Sequence, residues 1–90
     1  MIKDRDSLRP ARVIRPTDLG GTVQLLCEDE GGLLSVYFET GQFENFLSYL
    51  YKSGLELGGL LIQFDRERVF VPQRGKVFNR QPARRKALFA

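Results

Sequence analysis

Ninety residues give room for one domain with one modest core, and 42% apolar with 11% aromatic residues is enough to fold it. The chain has no histidine, no tryptophan and a single cysteine, Cys27, which excludes Ser-His-Asp and Cys-His catalysis, a His/Cys metal cage and an internal disulfide. The net charge of +3 conceals a segregation: residues 1–16 carry +3, residues 17–67 carry −7, and residues 68–90 carry +7 without one acid.

Residues 1–11 are charged and contain Pro10, and read as a flexible basic arm. Arg9, Arg12 and Arg15 recur every third residue among Pro10 and Pro16. In a polyproline II helix that spacing aligns the guanidinium groups on one ridge; an extended edge strand around Val13–Ile14 fits equally well. Residues 17–21, TDLGG, form a turn.

TVQLLCE (22–28) and LLSVYFE (33–39) alternate apolar and polar positions, the pattern of half-buried strands. The intervening Glu28-Asp29-Glu30-Gly31-Gly32 reads as a hairpin turn, because consecutive acids at a loop tip do not converge as a cation site requires. Phe43, Phe46, Leu47, Leu50 and Tyr51 then follow helical spacing. This predicts a helix over about 42–53, capped by Thr40 or Gly41, with Glu44 in its first turn and Lys52 in its last. Gly54 and Leu55 suit a Schellman ending in which Leu55 packs on Leu50.

LLIQF (60–64) and RVFV (68–71) form a second hairpin around Asp65-Arg66-Glu67. The expected fold is α+β: an antiparallel sheet of four strands in β-β-α-β-β order, or five with residues 12–16, and one helix packed on one face. The globular domain spans 12–72. Residues 73–90 read as a basic tail, disordered or ordered on a partner. One helix leaves the second sheet face bare, and Tyr37, Leu61 and Phe70 lie there with Leu26 and Leu33, so the N-terminal segment, the C-terminal segment or a second subunit is expected to cover it.

The basic termini carry the remaining site expectations. Arg9, Arg12, Arg15, Arg74, Lys76, Arg80, Arg84, Arg85 and Lys86 offer forks and point charges to carboxylates or phosphates, with Phe78 and Phe89 as apolar or stacking anchors. The paired glycines match no phosphate-binding pattern, so no cofactor or metal is expected. Nor do the remaining Asp, Glu, Lys, Tyr and Cys residues pair by position as an acid and base would. No apolar run approaches the ~20 residues of a membrane helix, and MIKDRDSLRP lacks the apolar stretch of a signal peptide. The expectation is a cytoplasmic, non-catalytic interaction module. Its Arg-rich ends would bind an acidic protein surface, and its bare sheet face would bind a partner or a second copy. The alternative is a nucleic-acid-binding protein that grips phosphates with the same arginines.

Overall fold

The computed structural model describes residues 8–82. Its elements are β1 (Arg9–Asp18), β2 (Thr22–Asp29), β3 (Gly32–Glu39), α1 (Thr40–Lys52), β4 (Leu61–Phe64), β5 (Arg68–Val71) and β6 (Lys76–Asn79). The α+β class, the single helix and the antiparallel pairing agree with the sequence reading. The strands number six rather than four or five, in the order β3-β2-β1-β4-β5-β6. Two three-stranded meanders therefore lie side by side, joined through their first strands.

The largest correction concerns β1. It is neither a polyproline ridge nor an edge strand, and its first residues do not belong to an arm. It pairs with β4 over Arg9–Arg12 and with β2 over Arg12–Asp18. The prolines that argued against a strand sit where β1 has one neighbour only: Pro10 opposite Gln63, and Pro16 opposite Leu25. A missing N–H is tolerated there because the other side of the strand has no ladder to feed. Within the β2 pairing, just past the end of the β4 pairing, Ile14 is an extra residue: Val13 faces Cys27 and Arg15 faces Leu26. Such a bulge bends the strand and sharpens its twist where it changes partner.

The second correction concerns the tail. Residues 76–79 form β6, paired with β5 through Val69–Phe78 and Phe70–Val77. The domain thus continues past residue 72, and the tail expected from residue 73 is part of the globule as far as Pro82. Four residues flanked by Gly75 show too little alternation to be read as a strand. Their place is fixed by Phe78, whose ring meets Phe46 edge-on at 5.1 Å and Tyr49 at 5.4 Å. Residues 83–90, and the first seven, lie outside the described residues.

The helix ends are close to expectation. Gln42 Oε1 accepts the backbone N–H of Glu39 at 2.9 Å, the return half of a capping box, so the helix starts at Thr40 and Glu44 falls beyond the first turn. At the other end Gly54 adopts φ +73°, Gly54 N–H donates to Tyr51 O and Leu55 N–H to Leu50 O, which completes the Schellman motif. Phe43, Phe46 and Leu50 are buried, whereas Leu47 and Tyr51 face outward.

The inward faces of β1 to β5 and the helix share one core, which includes Val13, Leu25, Cys27, Val36, Phe38, Phe46, Leu50, Ile62, Val69 and Val71. Phe38 stacks on Phe46 at 5.2 Å. The sheet is not flat: beyond β6 the backbone N–H of Gln81 donates to Tyr37 O of β3 at 3.0 Å, drawing the two outer strands together. This curling is what lets a single helix, packed on β2, β3 and β6, complete the core.

Candidate binding site

The strand register assigns the outward residues. Leu33, Glu28, Arg12 and Leu61 form one row across β3, β2, β1 and β4. Ser35, Leu26 and Arg15 form the next, and Tyr37, Gln24 and Thr17 the third. Further along, Phe70 lies between Gln63 and Val77. Leu33 is 70% exposed, Leu61 42% and Tyr37 36%. Leu26 and Phe70 are half-buried. Three of the residues expected on a second sheet face, Tyr37, Leu61 and Phe70, are thus brought onto one convex surface, together with Arg12 and Arg15.

Much of the positive charge is engaged within the fold, although Arg9, Arg12, Arg74 and Lys76 stay exposed and only Arg80 is buried. Arg9 pairs with Asp29 at 3.3 Å, and its guanidinium lies 5.9 Å from the Phe64 ring centre. Arg12 Nη1 donates to Gly59 O, and Arg74 Nη2 to Ser53 O at the carbonyl end of α1, where a cation suits the helix dipole. Lys76 Nζ sits over the rings of Tyr49 and Phe78 at 5.5 and 5.9 Å. Phe78 itself is a packing residue of the helix contact. Arg80, expected on a solvent-facing tail, is only 6% exposed. Its Nε donates to Gln81 O and its Nη1 to Asp65 O, both at 3.1 Å, and it faces Phe64 at 6.0 Å. Arg84, Arg85, Lys86 and Phe89 lie outside the described residues. Over residues 8–82 nine cations meet nine acids, so the folded body carries no net charge. The acidic centre inferred from the sequence is neutralised by the cations on either side of it.

A groove of about 590 Å³ opens where β6 and its continuation approach β3, lined by Arg9, Ser35, Phe64, Asp65, Arg66, Glu67, Arg80 and Pro82. A second groove adjoins it, sharing Ser35, Arg80 and Pro82. At the rim of the first groove Asp65 organises the β4–β5 turn, accepting the backbone N–H groups of Glu67 and Arg68 and the Arg68 guanidinium, the last at 2.6 Å. Burial opposes ionisation of this carboxyl, but the hydrogen bonds from Arg68 and the two amides outweigh it and hold its pKa below the usual range. Burial also lowers the Arg80 pKa, with Asp65 and Cys27 opposing that shift. Cys27 is fully buried, and desolvation raises its thiol pKa to about 11, so it is an inert core residue.

Ser35, Phe64, Asp65, Arg66 and Arg68 were not expected as site residues from the sequence, where Asp65 and Arg66 read only as a turn. The D-x-x-R turn signature of Asp65 and Arg68 could have been noticed; the approach of Ser35 to Arg80 across 45 positions leaves no local trace. Asp29 is held by Arg9 and by Gly31 N–H, in keeping with a polar turn. No helix among the described residues is long and apolar enough to cross a membrane. No protein-family model, curated protein or solved structure matches the chain.

Proposed function

We propose that this protein is a non-catalytic interaction module that docks the acidic and apolar surface of a protein partner on the outward faces of β1 to β4. The observation that carries the reading is the exposure of Leu33, Leu61 and Tyr37 on the same convex surface as Arg12 and Arg15. The core does not use these side chains. Tyrosine and arginine are the residue types that anchor interfaces, and exposed leucines beside them supply the desolvated centre. Arg15 is exposed and stands beside Leu26, where an incoming carboxylate can meet it. A reducing, cytoplasmic setting fits the buried free thiol of Cys27.

The test compares capture of partners by the wild-type chain, by Arg15→Glu with Tyr37→Ala, and by Arg74→Glu away from this surface. The outer-face variant is expected to lose an acidic partner that the Arg74 variant keeps. Equal capture by all three refutes the reading. Sedimentation of the purified chain separates a foreign partner from a second copy: a dimer broken by the outer-face variant would assign the surface to self-association.

The neutral body tells against a nucleic acid lying along the strands. A phosphate-gripping role would rest on Arg84, Arg85 and Lys86, which account for the whole net charge beyond residues 8–82. Replacing these three by glutamine would then abolish salt-dependent retention on DNA, whereas the outer-face variant would not.

A further inference from the structure

The groove beside β3 contains a cation that the fold does not fully use. Arg80 is 94% buried, yet it forms no ion pair among the described residues. Two of its nitrogens, Nε and Nη1, are bound to backbone carbonyls. Its Nη2 has no acceptor among the described residues. Among the described residues no side-chain polar atom shut away from solvent lacks a hydrogen-bond partner. Nη2 must therefore reach solvent, and the openings that Arg80 lines are the two adjoining grooves. A guanidinium buried in this way feels the Asp65 carboxylate without pairing with it, and it retains donors that no acceptor of the fold takes up, which is an arrangement suited to a ligand rather than to water alone.

The surroundings narrow the ligand. Ser35 Oγ accepts a hydrogen bond from Gln24 Nε2 at 2.8 Å, which leaves its own O–H free to donate. Arg66 is exposed on the same rim and makes no hydrogen bond or ion pair among the described residues. Arg9, Arg66 and Arg80 face Asp65 and Glu67 around the groove, an excess of one positive charge. One excess charge matches a monoanion. A phosphate dianion would bring a second negative charge against Asp65 and Glu67. The fork of an arginine also fits a planar carboxylate.

We propose that this groove is a carboxylate-binding site in which Arg80 Nη2 and the Ser35 hydroxyl hold the carboxylate oxygens and Arg66 closes over it from the rim. The site meets the outer face of β1 to β4 at Ser35, and at Tyr37 in the adjoining groove, but its contacts to a carboxylate do not depend on that surface binding a protein. The carboxylate can belong to a small organic acid or to an acidic peptide side chain, and the groove recognises the same group in both.

The experiment titrates the full-length protein with propionate, with a hexaglutamate peptide and with inorganic phosphate, observed through the NMR signals of the Ser35, Arg66 and Gln81 amides and the Arg80 Nε–H. Saturable shifts at these positions with propionate or hexaglutamate are expected. Tighter binding of the peptide assigns the source to a polypeptide, and equal or weaker binding per carboxylate to a small acid. Arg80→Lys keeps the charge and loses the fork, and should weaken binding about tenfold; Ser35→Ala should weaken it about fivefold. Where Arg80→Lys fails to fold, Ser35→Ala and Arg66→Gln decide. Arg74→Gln, outside both the groove and the outer face of β1 to β4, should bind as the wild type does. Shifts confined to other residues, no loss in Ser35→Ala and Arg66→Gln, or tighter binding of phosphate than of either carboxylate would overturn the proposal.

Discussion

Strand β6 is the element the sequence hid, and replacing Phe78 by alanine measures how much the fold depends on it. The Phe78 ring lies edge-on to Phe46 at 5.1 Å and beside Tyr49 at 5.4 Å, with Lys76 Nζ above it. A phenylalanine that buries on the order of 150 Å² gains about 3–4 kcal/mol at about 25 cal/mol per Å². Alanine keeps the Cβ share, and a half-buried site relaxes more readily than a sealed one. Phe78→Ala is therefore expected to cost about 2–3 kcal/mol. Val77, its neighbour on the same strand, is 49% exposed, and Val77→Ala should cost under about 1 kcal/mol. A 90-residue domain holds about 5–13 kcal/mol in all, so the larger loss is visible as an early urea midpoint. Equal midpoints for the two variants, both close to wild type, would mean that β6 is not packed on the helix and that the domain ends near residue 72.

Three further outcomes follow from the same structure. Gly54→Ala forces a side chain into φ +73° and should cost about 1–2 kcal/mol in thermal or urea unfolding, although nothing obstructs the added methyl. Asp65→Asn should lose about 1 kcal/mol near neutral pH, because the Arg68 pair is partly screened. The wild-type carboxyl has a lowered folded pKa, so its contribution is complete above the unfolded value and disappears as pH falls through the folded one. The variant's stability should change less across that acidic interval. Cys27 titrates near 11 when folded against 9.0 unfolded, so unfolding becomes easier as pH rises from 9 towards 11, and Cys27→Ala should flatten that alkaline loss. At pH 8 the native thiol should react with a disulfide reagent only at the rate of unfolding.

The parts of this fold that were legible are those decided by neighbours in the chain. Alternation marked β2 and β3, and Gly54 with Leu55 marked the end of α1, because period and φ preference are local properties. The helix start was misplaced because Thr40 looked like a cap, whereas the Gln42 side chain reaches back to Glu39 and admits Thr40 into the first turn. Strand β1 was obscured by prolines whose acceptability depends on which side of the strand is vacant. Charge was the most misleading signal. Sequence order separates acidic and basic blocks, but Arg9 meets Asp29, and Arg80 meets the Asp65 carbonyl, only after the sheet curls. Of the binding surface, Tyr37, Leu61 and Phe70 were legible from alternation. The groove around Arg80 was not, since it joins segments that only the closing of the sheet brings near.

The link between Gln81 and Tyr37 has a further meaning for this molecule among its copies. The bond ties the margins of the curled sheet at one point, so another chain cannot run unbroken along the edge of β3. The following residue, Pro82, has no N–H to offer, so the zipper between the margins halts after one stitch. Cutting the chain before Gln81 would release the rim of β3 and with it a template for stacking, and the first sign of damage would be fibrous self-assembly rather than simple loss of structure.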